Sequence, residues 1–178
     1  MAGTPPPTRA ALYRSWRVII EASSRIYLPS GRLSCSVGTV LFVCVENTFR
    51  SVLSEALFNA IAPSGWRAES AGVQAATEIN PVVPPLLREI GIELGPKKPR
   101  TVTPQMIAGA TRVVTFGCLD RCPLGAREKA EDWSLPGATG KTMEELRSIR
   151  DELRRRVAEL SMRLPASVVS PTRPRAKD

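Results

Sequence analysis

The sequence predicts an α/β three-layer sandwich built on a four-stranded parallel sheet. Three observations predict it. Thr39-Val40-Leu41-Phe42-Val43 is an unbroken apolar run, and continuous rather than alternating hydrophobicity suits a strand covered on both faces. Three further strand-like segments follow, separated by stretches with helical spacing. Such alternation gives parallel strands with helices on both faces. The 178 residues, 43% of them hydrophobic, suit one folded domain with extensions.

The elements follow in order. Ser51 to Ala62 places Leu53, Ala56, Leu57, Ala60 and Ile61 on one helical face, and Pro63 ends it. Trp66 to Ala71 is the second strand, closed by Gly72. Pro81 opens a helix through Ile90, and Gly91 sits where helices leave through a left-handed residue. Residues 95–103 read as loop, Pro104 opens a short helix, and Arg112 to Phe116 is the third strand. Residues 117–130 form a cysteine-bearing loop, and Glu131 to Leu135 is a brief fourth strand. Thr142 begins a helix to about Leu164, with Glu145 three residues on in capping-box spacing.

The domain is therefore expected over 39–164, between an N-terminal extension (1–38), weakly ordered or partly helical, and a disordered basic tail (165–178). Residues 9–29 are Arg- and Ser-bearing and nearly acid-free. That is also the composition of an organelle transit peptide, beside the alternatives of a loose extension or a gene start placed too far upstream.

The formal charge is +8, and its location decides what it means. Residues 1–36 hold five arginines against Glu21, and residues 161–178 hold four bases against Asp178. The centre is balanced, with 16 bases and 15 acids over 37–160. A nucleic-acid surface wants basic residues clustered on folded structure, with aromatics among them, so no nucleic-acid partner is expected. No apolar run approaches the ~18–20 residues of a membrane span. Four cysteines in 178 residues are too sparse for a secreted disulfide scaffold. A soluble, cytoplasmic monomer is the expectation.

Histidine is absent. That excludes Ser-His-Asp triads, Cys-His dyads and HExxH zinc sites, so a nucleophile needs another form of activation. The candidate is the loop Cys44-Val45-Glu46-Asn47-Thr48-Phe49-Arg50-Ser51, directly between a buried strand and a helix. There the backbone N–H groups of 45–50 and the positive end of the helix can cradle a tetrahedral oxyanion. The same field favours thiolate over thiol, from a free value near ~8.5. Arg50 offers a planar fork of donors. Ser51 can donate to the thiolate, and Asn47 tolerates a left-handed backbone and can brace the loop. The competing reading of Cys44 is a buried structural cysteine.

Cys118 and Cys122 lie in Gly117-Cys118-Leu119-Asp120-Arg121-Cys122-Pro123, again just after a strand. The C-x3-C spacing allows a disulfide across a flexible loop, half of a zinc site, or an incidental structural pair. A full zinc site would need Cys35 and Cys44, whose nine-residue spacing is unlike a zinc knuckle. No metal is expected.

Over roughly 39–160 the chain resembles the low-molecular-weight tyrosine phosphatase family, most closely its thioredoxin-coupled arsenate reductase branch. The carriers are VLFVCVENTFRSVLSEALFN, ESAG at 69–72, INPVVPPLLREIGIEL at 79–94, VVTFGCLDRCP at 113–123, EDW at 131–133 and SIRDELRRRV at 148–157. The resemblance implies a phosphate loop after the first strand and a covalent cysteinyl intermediate. Cys44 is then the nucleophile, Arg50 the oxyanion clamp and Ser51 the thiolate partner. Arsenate reduction would use Cys118 to attack Cys44 and Cys122 to carry the disulfide outward. It needs no bound cofactor, with electrons supplied by thioredoxin or another thiol donor.

Two departures stand out. The family has Gly where this chain has Glu46, a carboxylate unwelcome beside an anion unless it points to solvent. Both branches place Asp-Pro after the fourth strand, where this chain has Gly137-Ala138. General acid catalysis is typically worth ~100- to 10,000-fold. Asp132 is the nearest substitute, although a strand-end surface carboxylate is its plainer reading, and Asp120 is a second. Three functions remain open: arsenate reductase, phosphomonoester hydrolase of the tyrosine phosphatase type, and non-catalytic oxyanion-binding or redox-sensing protein.

Overall fold

Strand β1 (Gly38–Cys44) is the axis of the domain. It pairs in parallel with β2 (Trp66–Gly72) on one side and β3 (Arg112–Thr115) on the other, and β3 pairs in parallel with β4 (Ala130–Asp132). The order is β2-β1-β3-β4. The computed structural model describes residues 38–165, apart from Leu124. The expectations for the extension before Gly38 and the tail after Pro165 lie outside the described residues.

Helices α1 (Arg50–Asn59), α2 (Val83–Arg88), α3 (Pro104–Gly109) and α4 (Met143–Arg163) connect and cover the sheet. Side chains alternate across a strand, and β1 buries both sets. Leu41 and Val43 join Ala71, Val113, Ile107 of α3 and Cys118 in one cluster. Val40 and Phe42 take the other face. There the Phe42 ring meets Phe58 of α1 at 6.2 Å and Trp133 at 5.9 Å, and α1 packs on α4. This two-sided burial is why the run 39–43 is apolar without alternation.

Element types agree with the sequence reading, and the boundaries differ for local reasons. α1 stops at Asn59, whose side chain turns aside to pair with Ala68 N at 2.7 Å and Ala68 O at 3.1 Å. The second helix starts at Val83 rather than Pro81, because Asn80 Oδ1 accepts from Val82 N at 3.1 Å and makes a turn first. β4 runs from Ala130 to Asp132 rather than to Leu135, although Trp133 N still donates to Thr115 O at 2.8 Å. α4 carries both halves of the capping box between Thr142 and Glu145.

Glu89, just past α2, ties it to α4. It accepts from Arg147 Nη2 at 2.7 Å and Arg150 Nη1 at 2.6 Å. The Arg147 bond, more than that of Arg150, holds its carboxyl down at about 2. A carboxylate depressed on folding stabilises the protein above its unfolded pKa and loses that contribution as pH falls through the folded value. Urea midpoints of wild type and Glu89→Gln should therefore differ most above pH 5 and converge towards pH 2.

Candidate active site

The chain leaves β1 for β2 on one side and later returns to β3 on the other, so the sheet's topological switch point is the carboxyl end of β1. Ligands in open α/β sheets bind there. Cys44 is the last residue of β1, pairs with Gly72 of β2 and is 3% exposed.

The loop after it is shaped by its carbonyls. Cys44 O, Val45 O, Glu46 O and Thr48 O accept from Val73 N (3.0 Å), Gln74 N (2.8 Å), Ala76 N (3.0 Å) and Asn80 N (3.2 Å). Four carbonyls are thus drawn outward to the segment 73–80, which turns the loop amides to its inside. The Asn47 amide points at the sulfur, with N to Cys44 Sγ 3.2 Å. Ser51 Oγ lies 3.0 Å from the same sulfur. Phe49 is buried, and α1 begins at Arg50 with no side-chain cap on its first amides. Those amides and the helix dipole suit an anion.

Asn47 braces the loop from within. It is fully buried, with φ of +57°. Its Nδ2 donates to Ser51 Oγ and to Ser70 Oγ, both at 2.9 Å, and its Oδ1 accepts from Arg100 N at 3.0 Å. Gly72 gives the loop room: a Cβ there would sit 2.6 Å from Val45 O and 2.8 Å from Asn47 N. Glu46 is exposed, and its carboxylate is 3.5 Å from the Thr48 hydroxyl. The glycine-replacing side chain therefore lies on the solvent side of the loop.

Arg50 links the loop to its neighbours. Its Nη1 donates to Phe116 O at 3.1 Å and Leu135 O at 2.7 Å, and its guanidinium lies 5.8 Å from the Phe116 ring centre. Those two bonds occupy Nη1, and three of the five guanidinium donors belong to Nε and Nη2.

Cys118 is fully buried. Its Sγ donates to Val43 O at 3.4 Å, the carbonyl immediately before Cys44. Cys44, Cys118 and Cys122 are all free thiols. The hydrogen bond from Cys122 draws the Cys118 thiol down to about 7, against the opposing effect of burial. The same bond pushes Cys122 well above the usual thiol range, so the pair holds one thiolate-prone sulfur and one thiol. Cys118 belongs to the Leu41–Val43 face, and strand alternation puts Cys44 on the other. A bond between them requires the 117–123 segment to move.

Asp132 ends β4, opposite Thr115. Its Oδ1 accepts from the Thr115 hydroxyl and from Gly117 N at 2.8 Å. Asp120 is exposed in the 3-10 turn Leu119–Arg121. The segment 134–141, Ser-Leu-Pro-Gly-Ala-Thr-Gly-Lys, has no carboxylate. Among the described residues no group of three or more His, Cys, Asp or Glu side chains is placed to hold a metal ion.

Sequence reasoning missed Ser70, Arg100 and Thr115 as supports of the site. Glu69-Ser70-Ala71-Gly72 carried the resemblance, and the structure supplies its physical role: a hydroxyl for Asn47 and a space for the loop.

The fold and site define a class: an α/β enzyme with a cysteine, followed by a loop of inward-turned amides, at the switch point of a parallel sheet. A family model for low molecular weight phosphotyrosine protein phosphatase matches residues 39–121. An arsenate reductase of Staphylococcus aureus is 30% identical over 120 residues, covering 65% of this chain and 90% of the relative. The thioredoxin-dependent arsenate reductase of Corynebacterium glutamicum is 30% identical, with a TM-score of 0.61 over 85% of this chain and 69% of that one. An arginine phosphatase of Geobacillus stearothermophilus is 28% identical, with a TM-score of 0.63 over 70% and 91% of the two chains. The chain belongs to the low molecular weight phosphotyrosine protein phosphatase family, whose relatives here include both reductases and phosphatases.

Thiolate absorbance at 240 nm can follow Cys118 in a Cys35→Ser, Cys44→Ser background. A step centred near pH 7 is expected. Cys122→Ala removes the donor and should move that step upward; an unmoved step would show that Cys122 does not set it.

Proposed function

We propose that the chain is a cytoplasmic arsenate reductase that stores the two electrons of reduction in Cys44, Cys118 and Cys122. The observation that carries this reading is the hydrogen bond from Cys118 Sγ to Val43 O, which puts a second thiol one residue from Cys44. A hydrolase needs only the first cysteine. Relatives named arsenate reductases support the same branch.

Arsenate enters the loop amides and the Arg50 fork. Cys44 Sγ attacks arsenic and an oxygen leaves as water after protonation, giving a thiol–arsenate adduct. Cys118 thiolate then attacks Cys44 Sγ. The S–S bond forms, the S–As bond breaks, and its electron pair leaves with arsenic as arsenite. Consuming the Cys118 thiolate also removes the interaction that suppresses ionisation of Cys122. Cys122 then attacks Cys118, Cys44 departs as thiolate, and the Cys118–Cys122 disulfide is left for a thioredoxin-like dithiol to reduce.

The second reading, a phosphomonoester hydrolase, is favoured by the Cys44–Ser51–Arg50 geometry, which serves either reaction. Against it stands the carboxylate-free segment 134–141, since an ester leaving group needs a proton.

The test is NADPH consumption with arsenate, thioredoxin and thioredoxin reductase, beside p-nitrophenyl phosphate hydrolysis. Turnover abolished by Cys44→Ser, Cys118→Ser and Cys122→Ser is the expected result. Phosphate release that survives loss of Cys118 and Cys122, without arsenate turnover, replaces the proposal with the hydrolase. Silence in both assays with phosphate still bound replaces it with an oxyanion-binding or redox-sensing role.

A further inference from the structure

We propose that Asp132 is a positioning residue for the resolving cysteine: its carboxylate clamps the Gly117 turn from which Cys118 departs, and that turn is the hinge of the moving segment. Its functional consequence rests on the redox role proposed for Cys118.

The clamp is built from rigid parts. Asp132 faces Thr115 across the β3–β4 ladder, and Thr115 is fully buried. The next residue, Trp133, is 3% exposed and packs its ring 6.1 Å from Phe116 and 5.9 Å from Phe42. Its amide continues the ladder to Thr115 O at 2.8 Å. From this base one carboxylate oxygen accepts two donors, the Thr115 hydroxyl and Gly117 N at 2.8 Å. Gly117 has φ of +73°, and a Cβ there would meet nothing within 4 Å. Glycine is thus suited to this position by its backbone conformation rather than by space. The chain emerges from that turn straight into buried Cys118.

Motion of 117–123 towards Cys44 must pivot somewhere, and Asp132 holds the segment's first residue while the rest moves. Both bonds use the same Asp132 oxygen as an acceptor. Its negative charge also works against ionisation of Cys118 and Cys122, so the clamp is read by sulfur titration as well as by geometry.

Asp132→Ala and Asp132→Asn in the full chain separate the roles. Diamide serves as oxidant, taking up the two electrons and two protons released when Cys44 and Cys118 join, so the readout does not require arsenate as substrate. Removing a hydrogen bond to a charged acceptor should speed Gly117 amide exchange by about 10- to 100-fold. Asp132→Ala should show that change together with slower Cys44–Cys118 disulfide formation and unchanged phosphate binding at Cys44. Asparagine keeps the Oδ1 acceptor and drops the charge. Asp132→Asn should therefore hold both rates within about threefold, a residual smaller than one lost hydrogen bond, and lower the Cys118 titration. Should Asp132→Ala fail to fold, Asp132→Glu, which displaces the acceptor, carries the same comparison. Unchanged exchange and disulfide rates in the displaced-acceptor variant overturn the clamp. So does a 100-fold or larger loss of p-nitrophenyl phosphate hydrolysis in Asp132→Asn with sulfur chemistry intact, which would make Asp132 the general acid. Clamp effects without arsenate turnover in the wild type would sink the reductase reading alone.

Discussion

The site depends on the outward pull on four carbonyls of the loop after β1. Cys44, Val45, Glu46 and Thr48 give their oxygens to amides of residues 73–80. A peptide that turns its carbonyl out turns its amide in, and an inward ring of amides at a helix N-terminus is what an oxyanion requires. The pull works only because β2 ends at Gly72, where any side chain would strike the loop backbone. Asn47 completes it by joining the loop to Ser51, Ser70 and Arg100 from inside. The loop is therefore held both by bonds among its own residues Cys44, Asn47 and Ser51 and by partners outside it in Ser70, residues 73–80 and Arg100.

That arrangement suits a thiol nucleophile and an oxyanion and leaves the reaction open. In the proposed reading the choice rests with Cys118 and Cys122 in the segment after β3, where the hydrogen bond between them lowers the Cys118 thiol and raises that of Cys122. Cys118 is buried against the β1 backbone rather than exposed at the mouth of the site. Arg50 touches both regions, since its Nη1 bonds reach Phe116 O just before that segment and Leu135 O after β4.

Much of this was legible in the sequence, for definite reasons. The run 39–43 is apolar without alternation because β1 is buried on both faces, and the Cys44–Ser51 loop follows it directly. Thr142 and Glu145 mark a helix start through local bonding alone. What was not legible depends on contacts between distant segments. Ser70 and Arg100 reach Asn47 from 23 and 53 residues away, and no local pattern encodes that. Glu46 drew suspicion as a carboxylate in an anion loop, yet its orientation to solvent follows from where its carbonyl is pulled. For Asp132 the sequence offered a strand-end surface carboxylate first and a substitute acid second, because it gives only the distance along the chain from Gly137; the β3–β4 register, which sets it opposite Thr115, comes from pairing.

The most direct measurement is mass spectrometry of the Cys122→Ser protein after a single exposure to arsenate without reductant. If the second thiol resolves the first, the relay stops one step short. One Cys44–Cys118 disulfide and one arsenite per chain are then expected. Arsenite formed with Cys118 still reduced, or no arsenite from a chain that hydrolyses phosphomonoesters, would contradict the account.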